Sequence, residues 1–110
     1  MPIIHIKTSS SDEASILFDK ITSQKAIIKY TAKWCGPCKM IAPVFEKYSD
    51  DPIYSSIIFA EVDIDELPDI VKWQHITSVP TFQAFCNHSA VDQFAGARKD
   101  SLKMLIMKLL

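Results

Sequence analysis

Apolar positions along the chain change period several times, and each change marks an element. Ile3 to Lys7 alternates apolar and polar, the pattern of a half-buried strand. Ser10 with Glu13 three residues on forms a capping box. Ala14, Leu17, Phe18 and Ile21 then fall on one face of a helix. Ala26 to Thr31 is a short apolar run, as in a strand covered on both faces. Ile41, Val44, Phe45 and Tyr48 mark a second helix, with Pro43 inside it expected to bend it. Ser56 to Val62 reads as a strand, and Pro68 opens a short helix through Trp73. Thr81–Phe85 and Ala90–Phe94 read as two strands close enough for a hairpin. Leu102, Leu105, Ile106 and Leu109 give a last amphipathic helix. The order is βαβαβαββα, which predicts an α/β fold with a parallel portion and an antiparallel hairpin.

Composition narrows the function classes. The 110 residues suit a single domain spanning 1–110, with no repeat, linker or low-complexity tract. Hydrophobic residues at 48% and charged residues at 23% allow a core and exclude a disordered chain. A net charge of −1 leaves no basic excess for nucleic acid. Apolar runs are too short to span a membrane. Met1–His5 lacks the charged and apolar regions of a signal peptide. The expected address is therefore cytoplasmic, where a close cysteine pair is metal-binding or catalytic more often than structural.

That pair is Cys35 and Cys38, within Trp34-Cys35-Gly36-Pro37-Cys38-Lys39 at the join of an apolar strand and a helix. Free amides and the dipole at a helix N-terminus stabilise a thiolate, so Cys35 is expected to have a lowered pKa and to attack. Cys38 lies one turn on, less exposed, within reach of the Cys35 sulfur. This spacing suits a nucleophile and a resolving thiol in disulfide exchange.

The segment Trp34 to Met40 resembles the active site of the thioredoxin family. Ala42-Pro43 resembles the family's helix-bending proline. Val79-Pro80-Thr81-Phe82 resembles its cis-proline loop, Val62 to Asp65 the end of its third strand, and Phe94 to Ala97 the approach to its last helix. The resemblance covers nearly the whole chain. It implies a thioredoxin fold: a central mixed sheet of about five strands with helices on both faces. It implies a protein disulfide reductase in which Cys35 is the nucleophile and Cys38 resolves. Gly36 and Pro37 set the turn and favour a reducing potential. Trp34 packs beside the site, and the backbone at Val79 and Pro80 pairs with an extended substrate. No cofactor or metal is bound. Thioredoxin reductase would restore the dithiol, drawing on NADPH. The expected state is a monomer, with self-pairing through the surface around Trp34 as the other possibility.

Two positions depart from the family pattern. Lys29 stands where the family keeps a buried Asp, and His88 stands in the hairpin turn where it keeps Gly. Asn87 tolerates a left-handed conformation, so the turn can be rebuilt around it. By parity Lys29 shares a face with Ile27 and Thr31. A buried ammonium must find a partner, lose its proton or snorkel to water. Glu61, on the neighbouring strand in this fold, is the expected partner, and the pair would tune the thiol pKa values.

Elsewhere the expectations are plainer. Cys86 reads as a small buried hydrophobe, Trp73 as core or surface patch, His75 as an unpaired surface histidine, and Met104 and Met107 as packing residues. Asp50-Asp51-Pro52 reads as a solvated helix exit. A zinc site would need two ligands beyond the dithiol, from Cys86, His5, His75 or His88, and none has ligand spacing. A thioredoxin-fold binding module with weak redox activity is the alternative to the enzyme. Insulin reduction separates those two, and metal content separates the zinc reading.

Overall fold

The computed structural model describes residues 3–6 and 11–110. The elements are β1 (Ile4–His5), α1 (Ser11–Thr22), β2 (Ala26–Thr31), α2 (Gly36–Asp50), a single turn of 3₁₀ helix (Pro52–Tyr54), β3 (Ile58–Asp63), α3 (Pro68–Trp73), β4 (Thr81–Cys86), β5 (Ser89–Ala95) and α4 (Lys99–Met107). The five strands form one sheet in the order β1-β3-β2-β4-β5. β3 runs parallel to both β1 and β2, while β4 is antiparallel to β2 and to β5. This is the mixed sheet that the element order predicts.

β2 is central, and all six of its residues are buried. Its two faces feed two cores. Ala26, Ile28 and Tyr30 pack with Phe18 and Ile21 of α1 and Ile70 of α3. Ile27 packs with Ile41 and Phe45 of α2 and with Leu102, Leu105 and Ile106 of α4. Helices therefore cover both faces, α1 and α3 on one and α2 and α4 on the other.

Several boundaries differ from the sequence reading. β1 is only two residues long, although Ile6 still donates its amide to Glu61 O at 3.0 Å. Lys7 and the capping Ser10 lie outside the described residues. β3 starts at Ile58 rather than Ser56, because Asp51 does more than end α2. Its carboxylate accepts the Ile53 amide at 3.0 Å and caps the 3₁₀ turn, which delays the strand. The hairpin is tighter than expected: only Asn87 and His88 lie between β4 and β5, with φ of 51° and 66°. Both central residues are left-handed, as a two-residue hairpin turn with the right twist requires. His88, the residue that departs from Gly, is tied to α1. Its amide donates to Thr22 O at 2.9 Å, and its Nδ1 lies 3.3 Å from Asp19 Oδ1. Met104 and Met107 are exposed, not packed, because Leu102, Leu105 and Ile106 occupy the inward stripe of α4.

Candidate active site

Cys35 is the N-cap of α2, with φ −86° and ψ 110°, outside the helix proper. Its carbonyl accepts the first helical bond, from Lys39 N at 3.3 Å. Pro37 occupies the first turn, where a missing amide costs nothing. The Cys38 amide points back and donates to Cys35 Sγ at 3.1 Å. A sulfur at an N-cap thus receives what a capping oxygen would: one of the unpaired N–H groups of the helix start. The two sulfurs are joined as a disulfide, across Cα atoms 5.3 Å apart. That separation lies in the usual range for a disulfide.

Both cysteines are buried, Cys35 at 4% and Cys38 at 2% exposure, so the difference in access expected from sequence is almost absent in this oxidised form. They pack with Ala32, Ile64 and Val79. The Val79–Pro80 bond is cis, and Val79 O lies 3.8 Å from Cys35 Sγ. Pro80 is buried, and its carbonyl accepts the Gly96 amide at 2.8 Å, where Gly96 has φ 105°. A residue that only glycine adopts readily thus fastens the proline loop to the end of β5. Gly36 and Pro37 are exposed beside the disulfide, and a Cβ at Gly36 would meet open space.

Trp34 is 68% exposed, and its Nε1 donates to Asp65 Oδ2 at 2.9 Å. Sequence reasoning missed Asp65 in this role. The two residues are far apart in the chain, and no local pattern links them. Trp73 is also at the surface, and His75 is exposed with φ 56°. Cys86 is a free, half-buried thiol packed against the α2/α4 core.

Lys29 does not snorkel. It is buried, and β2 and β3 stand in register at Lys29 and Glu61. Its Nζ lies 3.8 Å from Glu61 Oε2, donates to Cys38 O at 3.3 Å, and stands 5.8 Å from the centre of the Phe45 ring. Burial lowers its pKa from 10.5, and the Glu61 carboxylate pulls it back up. Glu61 meets a second partner that the sequence did not reveal: His5 Nδ1, 3.2 Å from Oε1. Among the described residues, no three His, Cys, Asp or Glu side chains stand close enough to hold a metal ion. No helix among them is long and apolar enough to cross a membrane.

Comparison with known proteins agrees with this geometry. The thioredoxin family model matches residues 7–108. Thioredoxin 1 of Plasmodium falciparum is 41% identical over 108 residues, which cover 96% of this chain and 97% of the relative. Human thioredoxin is 37% identical over 106 residues, covering 96% and 95%. Among solved structures, the reduced thioredoxin pre-protein of Schistosoma mansoni superposes with a TM-score of 0.85 at 30% identity, covering all of both chains.

Proposed function

This chain belongs to the thioredoxin family, and we propose that Cys35 is its attacking thiol and Cys38 its resolving thiol. The chain is a thioredoxin-type dithiol–disulfide oxidoreductase, a protein disulfide reductase with a redox-active Cys35–Cys38 pair. The observation that carries the assignment of roles is the Cys38 amide aimed at Cys35 Sγ. The same hydrogen bond and the helix dipole would stabilise a thiolate on Cys35 in the reduced protein.

The Cys35 thiolate attacks a substrate disulfide and releases one substrate thiolate. Cys38 then gives up its proton and attacks Cys35. The substrate leaves reduced, and the Cys35–Cys38 disulfide remains. Trp34, Gly36, Pro37, Val79 and Pro80 surround the sulfur and form the substrate surface. The Val79 carbonyl beside Cys35 supports an extended substrate strand pairing there. Disulfide-containing proteins are the substrates, and no cofactor binds the chain itself. A thioredoxin reductase drawing on NADPH returns the dithiol, so the protein carries electrons between the two. Residues 1–110 act as one domain, as a monomer in the cytoplasm.

Insulin reduction, followed by turbidity, tests the assignment. The wild-type chain should precipitate the insulin chains in the presence of a dithiol reductant. Cys35→Ser should fall to the reductant-only rate. Turnover retained by Cys35→Ser would remove Cys35 from the attacking role.

A further inference from the structure

Among the described residues Lys29 is the one buried charged side chain, and the exchange of sulfur bonds described above makes no use of it. It stands on the wall of a cleft of about 300 Å³ that also includes Cys38, Glu61 and His5 in its lining, but not Cys35, Trp34, Val79 or Pro80. A second cleft of about 330 Å³ adjoins it and shares Lys29, Glu61 and His5. The resolving cysteine therefore borders open space distinct from the surface that takes substrate. An ammonium that is 3% exposed forms the inner wall, and a carboxylate that is 24% exposed and a histidine that is 53% exposed lie nearer to water.

We propose that this cleft is the proton outlet of Cys38, and that the Lys29 ammonium, anchored by Glu61 and His5, is the positioning charge that stabilises the Cys38 thiolate in the resolving step. The inference rests on the assignment of Cys38 as the resolving thiol. In that step the Cys38 S–H bond breaks, and its proton leaves through the cleft to water. The sulfur lone pair forms the Cys38–Cys35 bond. The bond between Cys35 and the substrate sulfur breaks, and its electron pair stays on the substrate, which takes a proton from water. The dithiol loses two electrons and the substrate gains two.

The sign of the effect follows from depth. Lys29 and Glu61 carry opposite charges, but water screens the half-open carboxylate more strongly than the sealed ammonium. Lys29 also donates to the Cys38 carbonyl directly, whereas Glu61 of β3 stands in register with Lys29. The ammonium is therefore the charge in direct contact with the first turn of α2. The remaining charged groups on the cleft walls are more exposed than Lys29. Lys33 and Glu66 are exposed and pair with each other at 3.5 Å. Lys39 and, in the adjoining cleft, Glu46 and Asp50 are exposed on α2, and Asp63 is half-buried at the end of β3. From β4, the residue in register with Lys29 is the apolar Phe82. Burial pulls the Lys29 pKa down and an anion raises it, so a thiolate formed at Cys38 should raise it further.

Two measurements decide the matter. In the first, the reduced protein in a Cys86→Ser background is mixed with an aryl disulfide whose thiolate product is coloured. The first release reports attack by Cys35, and the second reports resolution by Cys38. Lys29→Met keeps the length and apolar stem without the charge. It should move the pH midpoint of the second phase upward by about one unit and slow that phase about tenfold near pH 6, with a smaller change in the first phase. An unchanged second phase overturns the proposal. A lost first phase instead counts against Cys35 as nucleophile, so the two readings fail separately. The second measurement needs no substitution at Lys29: its Nζ is titrated by NMR in the disulfide and dithiol forms of the wild-type chain. Coupling between two sites is reciprocal, so the Lys29 pKa should be higher in the dithiol form at pH values where Cys38 ionises. Equal values in the two forms overturn the proposal.

Discussion

The two faces of β2 bury polar groups in opposite ways. On the α1/α3 face the Tyr30 hydroxyl donates to Gln83 Oε1 at 2.6 Å. The Gln83 amide then donates to Gln93 at 3.0 Å and to Gln74 at 3.4 Å. On the α2/α4 face Lys29 contacts Cys38 O and Glu61 and borders open clefts. Tyr30 is neutral, and burial pushes its pKa well above the ordinary tyrosine range. The neutral network carries no titrating charge, and it pins β2 to β4 and β5. The charged contact is open to water on one side and lies against the turn that carries the dithiol. One strand thus holds a fixed structural network and a responsive charge a single residue apart.

The largest effect that would break this comparison comes from Glu61→Leu. Removing the carboxylate leaves a buried ammonium without its counter-ion, at a cost of about 2–3 kcal/mol near pH 6 in denaturant unfolding. The deficit should depend on pH with a definite sign. A lysine whose folded pKa is lowered binds fewer protons folded than unfolded. Stability therefore rises with pH between that lowered value and the ordinary 10.5. Loss of Glu61 lowers the folded value further and extends that window downward, so the gap to wild type should close as pH rises through the added part. A gap independent of pH would mean that Lys29 is already neutral.

Tyr30→Phe should have a smaller cost, about 1–2 kcal/mol, because it leaves the Gln83 carbonyl oxygen short of a partner. Unfolding measured from mildly acid to mildly alkaline pH should show a constant difference from wild type. A slope would join the neutral network to a titrating group and erase the contrast between the faces.

Much of that contrast was legible beforehand. Strand parity alone placed Lys29 on the face of Ile27, and the fold implied by the Trp34–Met40 motif put β3 beside β2, which named Glu61. His5 was not legible as a partner, since the alternation of Ile3 to Lys7 marks a strand but does not fix its register against β3. The 3₁₀ turn was hidden because Asp51-Pro52 serves equally as a helix exit and a helix start. The bond from Trp34 to Asp65 and the link from His88 to α1 are tertiary contacts with no local pattern. Met104 and Met107 are exposed although apolar, since apolar character alone does not fix burial. The helix had already filled its inward stripe.

The smallest expected effect is that of Trp34→Ala. An exposed side chain with one hydrogen bond to Asp65 should change stability by less than about 0.5 kcal/mol. Its loss should instead raise KM for insulin with little change in melting temperature. Equal effects on both would move Trp34 from the substrate surface into the structural set.

The central claim, that the two cysteines divide attack from resolution, is tested most directly by capture. Cys38→Ser, mixed with a disulfide-containing protein and quenched with acid, should hold a mixed disulfide that peptide mass spectrometry locates on Cys35. An adduct found on Cys86, or no stable adduct while reduction continues, would contradict the account.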